Sequence, residues 1–111
     1  MSVCLMVSNP ISKEEDEFYV PIATEQVFQE FWMPIIEMLD LQWVKCFQGG
    51  IEVGKEDFRS ILKELEEIKL WIGKNMNNER GKQMIKRLDN LSKELTLLLE
   101  NARESVKVYI G

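Results

Sequence analysis

The chain has 111 residues, 45% of them hydrophobic and 30% charged, with a formal net charge of −5. That length and balance predict a single folded domain over residues 1–111 and exclude a disordered chain. The charge is split, −8 over residues 1–57 and +3 over residues 58–111, which can steer a basic partner but offers no basic stripe for a phosphate backbone, so nucleic acid is not an expected ligand.

The first apolar run, residues 2–8 (SVCLMVS), alternates Val3, Leu5 and Val7 with Cys4 and Met6. Both sets are apolar, which predicts a strand covered on both faces. No positive residue precedes this run, so it reads as a poor export signal. No apolar run approaches the roughly 18–20 residues of a membrane span. A cytoplasmic protein without membrane contact is therefore expected.

Asn9-Pro10 ends the strand, and SKEEDE at residues 12–17 follows. Ser12 and Glu15 match a capping box, so this acidic run reads as either one helical turn or a solvated loop. Thr24 is a good N-cap for the next helix. Val27, Phe28, Phe31, Trp32, Ile35, Ile36 and Leu39 then recur at helical spacing. Pro34 interrupts that pattern and predicts a kink near residues 30–34, because proline removes a backbone donor and crowds the preceding turn.

Residues 41–47 (LQWVKCF) read as a strand, Gln48-Gly49-Gly50 as a turn and residues 51–53 as a second strand, together a hairpin. A helix then starts near Lys55, with Phe58, Ile61, Leu65, Ile68 and Ile72 at steps of 3, 4, 3 and 4. Gly73 is its expected C-cap, and Asn77 or Asn78 the N-cap of the next helix. In that longest helix Met84, Leu88, Leu91, Leu95, Leu98 and Ala102 form a second seam. Two seams joined by a short loop predict an antiparallel helical hairpin. At the end, Val106, Val108 and Ile110 alternate with Lys107 and Tyr109, a half-exposed strand. The expected fold is α+β. Its small mixed or antiparallel sheet, in the order β-α-β-β-α-α-β, is packed by a kinked helix and a long helical hairpin.

The stretch GGIEVGKE at residues 49–56 resembles a phosphate-binding loop in spacing only. Glu56 stands where such a loop needs a hydroxyl for magnesium, and Glu52 adds a further negative charge. The glycines are better explained by a turn and a strand-to-helix bend. There is no histidine, which removes the commonest general base and metal ligand and every His-dependent triad. Cys4 and Cys46 lack metal-ligand spacing and are expected as buried reduced thiols. Glu64, Glu66 and Glu67 read as the wet face of their helix. Arg80, Lys82, Lys86 and Arg87 form a basic cluster without interleaved aromatics, so base stacking is unsupported and a solvated surface is expected.

No catalytic, cofactor-binding or metal-binding residue is therefore assigned, and no enzyme is expected. The candidate partner-binding residues are Glu14, Glu15, Asp16, Glu17, Phe18, Tyr19, Trp32 and Trp43. They combine acidic steering with aromatic anchors. The expectation is a small protein-binding module, of an inhibitor or immunity-like kind, for a basic protein. The alternative is a small-ligand or regulatory domain with a pocket beside the Pro34 kink. A homodimer through an exposed edge strand is a further option.

Overall fold

The computed structural model describes residues 2–111 and has an α+β fold. The strands are β1 (Ser2–Val7), β2 (Tyr19–Thr24), β3 (Ile51–Val53) and β4 (Val108–Ile110). They form one antiparallel sheet in the order β2-β1-β4-β3. Val3, Leu5 and Val7 of β1 point into the core with Val20, Ile22, Val53, Val108 and Ile110. All the long helices pack on that side. The opposite face is open except at Cys4, which is buried beside Gly111, so the expectation that β1 is covered twice holds at Cys4 and fails at Met6. Met6, the middle residue of that face, is only half-buried.

The capping residues act as their chemistry dictates. Ser12 Oγ accepts from the Glu15 amide at 3.1 Å, which starts the short α1 (Lys13–Glu17). Thr24 Oγ1 accepts from the Val27 amide at 3.1 Å and starts α2 (Glu25–Val27). The chain then runs through a π-helical turn, Phe28–Trp32, into α3 (Met33–Leu39). Pro34 explains the sequence of events. Lacking an N–H, it leaves the carbonyl four residues earlier without its helical donor. The backbone widens instead, and the Met33 amide donates to the Phe28 carbonyl five residues back. The expected kink is thus a π turn.

Residues 41–47 are not a strand. After Asp40 turns in a left-handed conformation (φ 54°), a short 3₁₀ helix forms over Val44–Phe47. Leu41 ahead of it and Val44 and Phe47 within it are the buried residues of this stretch, a period of three rather than two. The expected hairpin is therefore absent, and β3 pairs with β4 instead. Cys46 is exposed, and only Cys4 is a buried thiol. The strand β2 was hidden from pattern reading by Pro21, which is tolerated because β2 lies at a sheet edge.

The helical hairpin comprises α4 (Phe58–Asn75) and α5 (Glu79–Asn101). The whole α4 seam of Phe58, Ile61, Leu65, Ile68 and Ile72 is buried. On α5 the seam ends at Leu99, with Leu98 only half-buried. Gly73 lies inside the last turn of α4, and Met76 caps it by donating to the Ile72 carbonyl. Asn78 Oδ1 caps α5 by accepting from the Gly81 amide at 2.8 Å. Gly81 is required there, since a Cβ would sit 2.4 Å from the Met76 carbonyl oxygen.

Lys69 Nζ lies 2.7 Å from Asp89 Oδ1 and links the two helices. The hydrogen bond and charge of Asp89 raise the Lys69 pKa above its ordinary 10.5. Because the folded value is the higher one, this attraction is fully present below pH 10.5 and fades as pH climbs past the raised value. The melting-point gap between wild type and Lys69→Met should therefore shrink in that alkaline range. A gap that stays constant through it would count against the pairing.

Candidate functional site

The acidic segment is divided by its neighbours. Both carboxylate oxygens of Glu15 accept from the one nitrogen Arg103 Nη1, at 2.5 and 2.7 Å, and Arg103 Nη2 donates to the Asn9 carbonyl at 2.6 Å. Both side chains are largely buried, so Glu15 anchors α1 to the chain beyond α5 and is not free for a partner. Glu14, Asp16 and Glu17 remain exposed on α1, with Glu17 in a loose pair 3.9 Å from Lys13.

The four aromatic candidates separate in the same way. Tyr19 is 54% exposed. Phe18 and Trp43 are half-buried and lean on the core. Trp32 is 1% exposed and stacks on Phe28 with ring centroids 5.4 Å apart. Its helical register turns it inward, so it presents no surface to a partner, and it leaves the candidate set.

Sheet register assembles a face that the sequence did not reveal. Met6 of β1 is paired with Tyr19 of β2 on one side and Tyr109 of β4 on the other. Tyr109 is in turn paired with Glu52 of β3. Tyr19, Met6, Tyr109 and Glu52 therefore form one row across all four strands of the open face. The Tyr109 ring lies over Gly50, which has a left-handed φ of 91° and no room for a Cβ. The legible traces of this row are Tyr19 as a candidate anchor and the outward phase of Tyr109; their juxtaposition is not legible. Met6 belonged to an apolar set read as covered.

The segment GGIEVGKE makes no phosphate cradle. Ile51–Val53 is a strand, and Lys55 Nζ donates to the Ala102 carbonyl at 2.7 Å, closing the C-terminal end of α5. Glu64 also departs from its expected wet face. Its carboxylate accepts from the amides of Gln42 (3.3 Å), Trp43 (3.0 Å) and Val44 (2.9 Å). No three carboxylates or thiols converge in a metal-like group among the described residues.

A separate cleft of about 130 Å³ opens between α5, β2 and the α2–π segment. Ile22, Trp32 and Met84 lie on its buried side, and Arg80, Gln83 and Arg87 border it. Pro34 is exposed and lines no part of it; the bent segment contributes Val27 and Trp32 instead.

Comparison of the chain with protein-family models, with curated proteins and with solved structures finds no match in any of the three.

Proposed function

We propose that this protein is a non-catalytic binding module that docks a protein with a basic surface, in the manner of an inhibitor or immunity-type protein. The observation that carries this reading is the row Tyr19–Met6–Tyr109–Glu52 on the open sheet face. Exposed tyrosines supply broad contact area at a small entropy loss. The chain enters β2 directly from α1, so the exposed carboxylates of Glu14, Asp16 and Glu17 precede Tyr19 in sequence. Such charges at a rim govern encounter rate and salt dependence, while the central aromatics govern residence.

The test uses the tagged protein as bait at low salt and two surface variants beside it. One carries Glu14→Gln, Asp16→Gln and Glu17→Gln but keeps Glu15, whose loss would loosen α1. The other carries Tyr19→Ser and Tyr109→Ser. A basic protein is expected to co-purify with wild type, to be released by salt, and to be recovered at least ~10-fold less by either variant. Equal recovery by all three baits, or no partner at all, would reject the reading.

A further inference from the structure

The cleft beside α5 differs in charge from the rest of this acidic chain. Arg80, Gln83, Met84 and Arg87 recur at i, i+3, i+4 and i+7, so they share one helical face. Arg80 and Arg87 are two turns apart, roughly 10 Å along the axis, and their side chains border the same space. The cleft continues along α5 past Lys86 and Asn90. No carboxylate lines either part. Among the described residues, Arg80, Lys86 and Arg87 make no ion pair.

Both arginines are held by contacts that leave their charge unneutralised. The Arg80 guanidinium stacks on the Phe31 ring at 4.6 Å. Stacking fixes the plane and leaves the edge N–H groups free to donate. Arg87 Nη1 donates to the Pro21 carbonyl at 3.3 Å, a neutral acceptor. The apolar lining, by contrast, is Ala23 and Val27, both half-buried, over Ile22, Trp32 and Met84, each 3% exposed or less. An apolar wall with a few convergent polar groups at its rim is the usual composition of a small-molecule site.

We propose that this cleft binds a small organic anion with an apolar body, an aromatic or short-chain carboxylate. The body lies against Ala23 and Val27, with Trp32 and Met84 packed directly beneath them. The carboxylate accepts charge-assisted hydrogen bonds from Arg80 and Arg87, and Gln83 offers a further donor between them. The site lies on the helix side of β2, away from the open sheet face, and stands independently of the docking reading.

The experiment compares benzoate with benzyl alcohol, which keeps the ring and removes the charge. Each is titrated into isotopically labelled full-length protein and followed by amide and indole NMR. Benzoate is expected to give saturable shifts at the Trp32 indole and at Thr24, Gln83 and Met84, with an affinity at least ~10-fold above that of benzyl alcohol. The double variant Arg80→Gln, Arg87→Gln, judged folded by its undisturbed spectrum elsewhere, should lose that preference and keep the weak affinity for benzyl alcohol. The proposal is overturned by equal affinities of the two probes, by shifts that map elsewhere or fail to saturate, or by a double variant that retains the preference. If the double variant does not fold, the two-probe comparison on wild type decides alone.

Discussion

Trp32→Ala should destabilise the protein by about 3–5 kcal/mol, the range for truncating a large buried aromatic. For a chain of this size that is a drop in melting temperature of about 10 °C or more. The reason is its place in the core. Trp32 is 1% exposed, stacks on Phe28 and lies in a turn already adjusted to Pro34. The cavity left behind cannot close easily, because that backbone is pinned by the Met33-to-Phe28 bond. Thermal and urea melts read the effect. A loss below about 1 kcal/mol would mean that the side chain is not packed as described. Tyr19→Ser provides the contrast. As an exposed residue on the open face it should stay within about 0.5 kcal/mol of wild type. Any loss of partner binding by Trp32→Ala would then trace to stability, and by Tyr19→Ser to contact.

Glu64→Ala should cost about 1–3 kcal/mol, because it strips the acceptor from three consecutive backbone amides. The Val44 amide is the most sensitive, since Val44 is fully buried and water cannot replace the carboxylate there. The three donors point together at the start of the 3₁₀ helix, and one carboxylate on α4 collects them. Hydrogen exchange at residues 42–44 should accelerate more than exchange in the α4–α5 seam. Glu64→Gln should fall between wild type and Glu64→Ala, because its amide oxygen still accepts but carries less charge. Uniform acceleration across the chain would instead indicate that Glu64 acts on the fold as a whole. Unchanged exchange at residues 42–44 would mean that it caps nothing.

The helical hairpin, the outward phase of Tyr109 and the cap at Thr24 were legible in the sequence, whereas the Ser12 segment left a helical turn and a loop both open and the cap of α5 stood between Asn77 and Asn78. Each legible feature depends on neighbours within a few positions: a seam at steps of three and four, an alternation of two, or a hydroxyl preceding a helix. Pro34 likewise announced a disturbance in its helix, because the missing N–H is a property of the residue itself.

Long-range pairing decided the rest. LQWVKCF looked like a strand because Trp, Val and Phe suit strands, yet Glu64, twenty residues further on, supplied the acceptor that holds its first amides in a helical turn. The acidic run looked uniform until Arg103 took Glu15 and left Glu14, Asp16 and Glu17 exposed. Trp32 and Tyr19 looked like equivalent anchors until helix phase turned one inward and sheet register set the other beside Met6 and Tyr109. The sequence by itself determined which segments have a helical or extended period, because period is local. Which charges are already paired, which aromatics face water and which strands become neighbours were settled only by the tertiary structure. Those properties belong to pairs of residues far apart in the chain, and only chain closure brings them within hydrogen-bonding distance.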